Sequence, residues 1–322
     1  MAATWLAPSP LAPAVPRADH IAWLHHGSSR ATRWGNLGLW RRGRGSADEY
    51  ASACEALARA VGQAAGMRAG DTVLSLACGG GEELALWAEA FGARAVIGLE
   101  LTPSLAAQAR ARAEAIHTGC EVEVFCADVR RLPALVGGRF DRIVCVDSLY
   151  HLGPRAPLLR AARERLFAGG GFAFTDLAID ATSASARRAL LRLAAPLAGI
   201  AYTDVLGRES MLAQLRAAGF DEVDAQPLDA AVLDGFCAFA ARQAQRIGLA
   251  ARLSLAWRRV AHTAWLIRQG RAAGLGYTIY VGRVAALDGL NATAGSDKAT
   301  EVSRPGMAPA PTGPAPTAAP MA

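Results

Sequence analysis

The stretch of residues 73–100 constrains the fold of this chain more than any other. It opens with an apolar run, residues 73–77, which is typical of a buried strand. A glycine-rich turn, residues 78–81, leads into residues 82–91, whose apolar positions follow helical spacing. A second apolar run, residues 95–99, then ends at the acidic Glu100. Strand, glycine turn, helix and strand in this order predict one βαβ unit of a nucleotide-binding sheet.

The spacing of the glycines indicates which ligand such a unit would hold. A dinucleotide site needs G-x-G-x-x-G, because the pyrophosphate lies on the helix N-terminus. This chain has Ala77-x-Gly79-x-Gly81 instead, followed directly by Glu82 and Glu83. Two carboxylates in the first helical turn suit the helix dipole but repel a pyrophosphate. The pattern therefore favours a ligand that carries no phosphates.

The same stretch resembles motif I of the class I S-adenosylmethionine (SAM)-dependent methyltransferases, commonly V-L-D-L-G-C-G-T-G. Two positions depart from that motif: Ser75 stands where the family usually has Asp, and Ala77 where it has the first Gly. The family's acid helps to organise the methionine end of the cofactor. The resemblance therefore implies that the uncharged Ser75 weakens SAM binding.

Later motifs of the family follow in the expected order. Glu100 matches the acid that binds the ribose hydroxyls, and Asp128, after a third strand, matches the acid that receives the adenine amino group. Residues 140–147 resemble the fourth strand, and residues 166–176 resemble the usual helix end, glycine turn and fifth strand. The resemblance covers roughly residues 50–284. It implies SAM as cofactor, held by Ser75, Ala77, Cys78, Gly79, Gly81, Glu100, Leu101, Asp128, Val129 and Asp147.

The fold implied by this resemblance is α/β. It is a doubly wound, mostly parallel seven-stranded sheet of the Rossmann-like methyltransferase type, with a helical cap or lid. The alternating segment 276–284 predicts the last strand, which this family inserts antiparallel. Within this family, the chain resembles the small-molecule methyltransferases of types 11 and 25.

Methyl transfer is an in-line displacement at a sulfonium methyl, so holding the nucleophile in line is the main task of the enzyme. A general base is needed only when the acceptor carries a proton at neutral pH. His151 is the candidate base, because it lies just past the fourth strand, at the ligand-binding edge of such sheets. A structural or cofactor-contacting role for this histidine is the alternative.

Candidate acceptor contacts come from two segments. Residues 34–40 resemble the N-L-G-x-W element that lies over cofactor and substrate in many small-molecule methyltransferases, and the histidine pair 25–26 precedes them. Tyr150 follows the fourth strand. The candidate substrate-binding residues are Trp34, Trp40, Tyr150 and His26, with ordinary core packing as the alternative for each.

Domain organisation follows from composition. Residues 1–18 and 286–322 are rich in Ala and Pro and are expected to be disordered. Residues 19–285 are expected to form the methyltransferase domain, with lid elements at about 19–45 and 183–272. Helices are predicted over 183–200, 208–218, 230–248 and 251–272.

Composition excludes several functions. The net charge is +6, but the arginines are scattered and form no basic stripe with aromatics, so no nucleic-acid partner is expected. The six histidines lack H-x-x-x-H or H-E-x-x-H spacing, so no metal is expected.

The six cysteines lack C-x-x-C pairing, which favours a reduced, cytoplasmic setting. No apolar run is long enough to span a membrane, although Trp257 and Trp265 beside arginines allow membrane-surface contact. Nothing indicates the oligomeric state.

The sequence thus predicts a SAM-dependent methyltransferase acting on an O, N or C centre of a secondary metabolite or lipid-like acceptor. Three alternatives remain at this point. They are a nicotinamide-dependent oxidoreductase, a catalytically weak SAM-binding protein, and a lipid methyltransferase similar to the cyclopropane synthases.

Overall fold

A computed structural model describes residues 34–40, 49–132, 137–179, 195–198, 200 and 205–286. All of them lie in one compact unit, Ala14–Leu287. The predicted disordered ends, 1–18 and 286–322, fall outside the described residues apart from residue 286, as do most of the segment 19–45 and residues 183–194.

The described elements alternate strands and helices along most of the chain. The strands are β1 (Thr72–Leu76), β2 (Ala95–Glu100), β3 (Glu121–Cys126), β4 (Phe140–Cys145), β5 (Leu166–Ile179), β6 (Glu222–Pro227) and β7 (Leu275–Arg283). The helices are α1 (Glu49–Ala64), α2 (Glu82–Ala85), α3 (Pro103–Glu114), α4 (Arg155–Glu164), α5 (Arg208–Ala217), α6 (Gly235–Arg246), α7 (Leu249–Leu253) and α8 (Leu255–Ala272). Short turns of 3₁₀ helix occur at Val129–Arg131, Leu149–His151 and Ala195–Ala198.

The seven strands form one sheet in the order β3-β2-β1-β4-β5-β7-β6. Strands β1 to β5 pair in parallel, and β7 pairs antiparallel with both β5 and β6. Chain order reverses between β1 and β4, and open α/β sheets bind ligands in the crevice at such a point. The predicted doubly wound sheet and its antiparallel last strand are confirmed.

Both faces of the sheet are covered, which explains why β1 reads as a continuous apolar run. Leu74 and Leu76 pack into the core on one face, together with residues of α4 and α5. Val73 packs into the core on the opposite face, where the apolar stripe of α1 is buried. Alternation along β1 therefore places Ser75 on the α1 side of the sheet.

Helices α6 and α8 extend this second face beyond the minimal sheet. Phe236, Phe239 and Val260 are buried in the same apolar core as α1 and β7. The segment 34–40 joins them, because the indole of Trp40 stacks on Phe239 with ring centroids 4.7 Å apart. Strand β6 also lies inside the segment 183–272 that was expected to form a lid, so the part of that segment from 222 to 227 belongs to the sheet.

Two local expectations differ from the structure. The helix predicted over 82–91 is regular only to Ala85 and continues as a π-helical turn, Leu86–Ala90. The predicted glycine turn at 169–171 lies within β5, where the ladder with β4 shifts register. Its third glycine is needed for close approach, because a Cβ on Gly171 would lie 2.4 Å from the carbonyl oxygen of Ala65.

Candidate functional site

A cleft opens at the carboxyl ends of β1 and β4. The glycine loop forms one wall, the residues that follow β4 form another, and the segment 34–40 contributes a third. The lining residues are Trp34, Gly35, Asn36, Ala77, Cys78, Gly79, Gly80, Glu82, Glu83, Val146, Asp147 and Ser148. The cleft therefore lies where the reversal of strand order predicts a ligand site.

The loop after β1 makes a tight turn stabilised by backbone hydrogen bonds within the loop and to β2. The Cys78 N–H donates to the carbonyl of Leu99, and the Gly81 N–H donates to the carbonyl of Cys78. Ala77 has a φ of 56° and Gly81 a φ of 88°, both in the left-handed region. Ala77 thus adopts a conformation that glycine would adopt without a steric cost.

Glu100 joins this loop to the end of β2. Its carboxylate accepts the backbone N–H of Gly79 at 3.0 Å and that of Thr102 at 2.9 Å. The side chain is buried, so these two donors offset part of the cost of removing the carboxylate from water. Leu101, which follows directly, is half-buried.

Asp128 caps the short turn after β3 and is bound by an arginine. Its carboxylate accepts the backbone N–H of Arg130 at 3.0 Å and pairs with the Arg130 guanidinium at 2.6 Å. Burial alone would raise the pKa of Asp128, but the hydrogen bonds and charge of Arg130 lower it below its usual value. Val129 beside it is buried. Both residues lie along the sheet edge beyond the residues that line the cleft.

Ser75 does not face the cleft directly, but it contacts a residue that does. Its hydroxyl donates a hydrogen bond to the carboxylate of Glu83, and the indole N–H of Trp87 lies 3.4 Å from the Ser75 oxygen. Burial raises the pKa of Glu83 to about 8, and the hydrogen bond from Ser75 opposes that rise. A buried acid in the first turn of α2 therefore lies beside the serine that replaces the usual aspartate.

Asp147 lies at the end of β4 with a φ of 53° and accepts three hydrogen bonds. The phenol groups of Tyr150 and Tyr277 donate to Oδ1 at 2.8 and 2.6 Å, and the Leu37 N–H donates to Oδ2 at 2.6 Å. Burial raises the pKa of Asp147 to about 6, against the lowering effect of these three donors. The carboxylate thus links β4, β7 and the segment 34–40.

The candidate acceptor-binding residues that the structure describes lie in different surroundings. Trp34 lines the cleft, whereas Trp40 packs between Phe239 and Tyr50 and is not among the lining residues. Tyr150 is buried with its hydroxyl on Asp147. His26 lies outside the described residues.

His151 is exposed and is not part of the cleft wall. Its ring lies against Tyr150, with ring centroids 4.4 Å apart. The imidazole is therefore one residue away from a side chain that contacts Asp147, on the side of the cleft formed by the residues after β4.

Three residues of the site were not predicted from the sequence to contact a ligand: Glu83, Asn36 and Tyr277. Asn36 is buried and holds the segment 34–40 by donating to the Cys54 carbonyl at 3.1 Å and accepting the Gly38 N–H at 2.9 Å. Glu83 carries the one usable signal, because it is an acid followed by the apolar run 84–88. Tyr277 comes from a strand far along the chain, and no local pattern connects it to Asp147.

The charge of the cleft indicates the kind of ligand that fits. Among the described lining residues, Glu82, Glu83 and Asp147 are acidic and none is basic. Complementary charge favours a cation, and SAM carries a sulfonium and an ammonium, whereas a dinucleotide brings a pyrophosphate. The residues present therefore fit SAM.

The described residues hold no candidate metal cluster and no candidate membrane span. They contain no group of three His, Cys, Asp or Glu side chains placed to hold a metal ion. Within the same ranges, no helix combines the length and apolar character needed to cross a membrane.

The known proteins that are similar to this chain include methyltransferases. A family model described as a methyltransferase domain matches residues 73–170. The erythromycin 3''-O-methyltransferase of Saccharopolyspora erythraea is 29% identical over 215 residues, covering 65% of this chain and 69% of that protein. The 27-O-demethylrifamycin SV methyltransferase of Amycolatopsis mediterranei is 29% identical over 182 residues, covering 56% and 65%.

Among solved structures, the cyclopropane synthase MmaA2 from Mycobacterium tuberculosis has the same fold. Its TM-score is 0.65 at 15% identity, with 83% of this chain and 99% of that chain covered. The methyltransferase-domain match contains the glycine loop, Glu100, Asp128 and Asp147, in the order in which the sheet brings them to one edge. The matched domain and these relatives support a class I SAM-dependent methyltransferase with SAM as its cofactor.

Proposed function

We propose that this methyltransferase transfers the methyl group of SAM to a hydroxyl oxygen of a secondary metabolite. The observation that carries the proposal is the similarity to two methyltransferases named for erythromycin and for 27-O-demethylrifamycin SV. Each matches more than half of this chain, 65% and 56% respectively. Related sheets accept many substrates, so the acceptor class is a proposal about this site and not a property of the fold.

SAM supplies an activated methyl group on a positively charged sulfur. The residues of this chain hold and orient the cofactor. Glu100 is proposed to bind the ribose hydroxyls, and Asp128, whose carboxylate pairs with Arg130, is proposed to bind the adenine amino group. The remaining proposed cofactor contacts are Ala77, Cys78, Gly79, Gly81, Leu101, Val129 and Asp147. Ser75 is proposed to act on the cofactor site through Glu83, to which its hydroxyl donates.

An alcohol acceptor needs a base, because its hydroxyl is protonated at neutral pH. His151 is proposed for that role, since its exposed ring lies at the carboxyl edge of β4 and is positioned by Tyr150. The residues proposed to line the acceptor-binding site are Trp34, Trp40, Tyr150 and His26. Of these, Trp34 has the most direct support, because it lines the cleft.

The cellular setting is proposed to be the cytoplasm. All six cysteines are free, including the exposed Cys126, and free thiols are typical of reducing compartments. We also propose that the acceptor is a small molecule and that the protein has no nucleic-acid partner.

The test is an assay with methyl-labelled SAM and a panel of hydroxylated metabolites that includes 27-O-demethylrifamycin SV. We expect a labelled product heavier by one methylene unit, with the label on oxygen by NMR. SAM binding without transfer to any acceptor in the panel would instead support the catalytically weak SAM-binding protein. Transfer to nitrogen or carbon alone would overturn the oxygen assignment.

A lipid acceptor is the second candidate, and one surface favours it. Leu249, Leu253 and Leu255 are 74%, 70% and 64% exposed, and Trp265 is 46% exposed. Residues 235–272 contain seven arginines and no acidic residue. Exposed apolar side chains among cations suit the surface of an anionic membrane. Vesicles of unsaturated anionic phospholipid therefore belong in the acceptor panel, and label in their acyl chains would favour this candidate.

A further inference from the structure

We propose that Glu83 supplies the carboxylate that pairs with the ammonium group of SAM, in a chain whose β1 strand carries Ser75 in place of an acid. This inference rests on the SAM-binding role of the cleft. It assigns to α2 a contact that the sequence of β1 does not provide.

The first step of the argument is the position of the side chain. Glu83 lines the cleft, yet the residue is only 6% exposed. The Ser75 hydroxyl, which is fully buried in β1, donates to its carboxylate. The serine therefore orients an acid that comes from the neighbouring helix.

The second step is the lack of a cation beside this acid. Among the described residues, no arginine, lysine or histidine forms an ion pair with Glu83. The titratable groups that act on it, or on which it acts, are Glu100 of β2, Cys78 of the loop and Cys145 of β4. None of them is a cation. A buried carboxylate without a counter-charge is costly, so it either takes up a proton or receives a cationic ligand.

The third step compares Glu83 with the other acids around the cleft. Glu82 forms an ion pair with Arg112 at 3.3 Å. Glu100 accepts two backbone N–H groups, and Asp147 accepts two phenols and one N–H. Glu83 accepts only the Ser75 hydroxyl among the described residues. It is therefore the acid with the most unused capacity for the ammonium of a bound ligand.

Proton balance gives a measurable consequence. The free protein holds Glu83 protonated near neutral pH, because burial raises its pKa to about 8. An ammonium group beside it favours the carboxylate, so its proton leaves to the buffer when SAM binds. A ligand without the ammonium leaves that proton in place.

The experiment is calorimetric titration of the full chain and two variants. The variants are Glu83→Gln and, as a matched control, Glu89→Gln, an exposed acid of the following π-helical turn. The ligands are SAM, decarboxylated SAM, which keeps the amine, and methylthioadenosine, which lacks it. For Glu83→Gln we expect roughly tenfold or greater loss of affinity for the first two ligands and about unchanged affinity for methylthioadenosine. Glu89→Gln is expected to bind all three like the wild type.

Two further measurements complete the test. Adding Ser75→Asp to Glu83→Gln is expected to restore SAM binding, because it returns an acid to β1. In the wild type, enthalpies measured at pH 7 in buffers of different ionisation enthalpy are expected to reveal proton release with SAM but not with methylthioadenosine. This second measurement needs no variant, so it stands even where Glu83→Gln does not fold.

The outcomes separate the inference from the function on which it rests. Wild-type protein that binds SAM with no proton release, or a folded Glu83→Gln variant that binds SAM as tightly as the wild type, would overturn the assignment of Glu83 alone. Wild-type protein that binds neither SAM nor S-adenosylhomocysteine would overturn the proposed function as well.

Discussion

The backbone N–H of Leu37 donates a 2.6 Å hydrogen bond to Oδ2 of Asp147, across 110 residues of sequence. This contact ties the segment that covers the cleft to the end of β4. The other oxygen of Asp147 accepts the phenols of Tyr150 and Tyr277, so one carboxylate sets the position of three elements. Asp147 is therefore a positioning residue for the segment 34–40, in addition to its proposed contact with the cofactor.

Replacing Asp147 with Asn tests that role. The amide has one acceptor oxygen and presents an NH₂ group on the other side, so at least one of the three donors loses its partner. We expect a loss of about 2 kcal/mol in the free energy of unfolding. Hydrogen exchange at the Leu37 amide is expected to speed up by more than that of the sheet amides.

The control for this variant is Asp224→Asn, an exposed acid of β6 that, among the described residues, bonds only to Ala225 and Gln226. It is expected to leave stability and exchange at Leu37 about unchanged. Equal exchange at Leu37 in Asp147→Asn and the wild type would show that the contact does not hold the segment.

Gly81 is the loop residue where a side chain is least tolerable. Its φ is 88°, and a Cβ would lie 2.8 Å from the Cα of Ala109 in α3. Gly66 has a comparable φ of 73° but nothing within 4 Å of an added Cβ. Gly66→Ala thus measures the cost of the left-handed backbone alone, about 1–2 kcal/mol.

Gly81→Ala is expected to destabilise the protein by more than Gly66→Ala does, because α3 must shift its backbone as well. Urea titration of both variants measures their free energies of unfolding, and the comparison tests this expectation. SAM affinity is expected to fall in Gly81→Ala and to stay unchanged in Gly66→Ala. Equal stability losses in the two variants would mean that the contact with Ala109 relaxes without cost.

Much of this fold was predictable, because the signals for it are local. The run 73–77, the glycines after it and the acid Glu100 are contiguous, and each marks an element boundary that the structure reproduces within a residue or two. Parallel strands bring their carboxyl ends to one edge, so the placement of Glu100 and Asp147 at the same edge of the sheet also follows from the order of the strands.

The parts that were not predictable depend on contacts between distant residues. The π-helical turn in the helix after the loop leaves no mark in the apolar spacing of 82–91, and Trp40 looks the same in sequence whether it faces a ligand or stacks on Phe239. The partnership of Ser75 with Glu83 needs the angle between β1 and α2. The sequence shows that Ser75 stands in place of the family's usual acid. It does not show that the side chain of Glu83 lies beside this serine.

Glu100→Ala is expected to weaken SAM binding by about 1–3 kcal/mol, because it removes the proposed hydrogen bonds to the ribose. It also frees the Gly79 N–H, which the carboxylate accepts in the structure. Since methylthioadenosine has the same ribose, its affinity is expected to fall by a similar factor, unlike in Glu83→Gln. A folded Glu100→Ala variant with unchanged affinity for both ligands would contradict the assignment.

His151→Ala tests the proposed base. If the imidazole removes a proton from the acceptor hydroxyl, turnover falls by about 10²–10⁴-fold while the affinity for SAM stays the same. The control is His262→Ala, because that histidine stacks on Trp265 in α8, away from the cleft wall. Equal losses of SAM affinity and turnover in His151→Ala would instead assign the ring to the cofactor site.

Glu83 is expected to make the stability of the free protein fall as the pH rises. Its pKa is about 8 in the folded state, because burial disfavours the charged form, and 4.5 is the value for an unperturbed glutamate. Between those pH values the folded state binds one proton that the unfolded state has lost. The free energy of unfolding therefore decreases by up to about 1.4 kcal/mol per pH unit from this residue alone.

The stabilising effect of the protonated acid is thus complete below pH 4.5 and lost once the pH passes about 8. Glu83→Gln carries no titrating group, so its stability relative to the wild type is expected to rise steadily across that window. Urea titrations of both proteins at pH 5, 6, 7 and 8 without ligand measure this difference directly. A constant difference would mean that folding does not raise the pKa of Glu83.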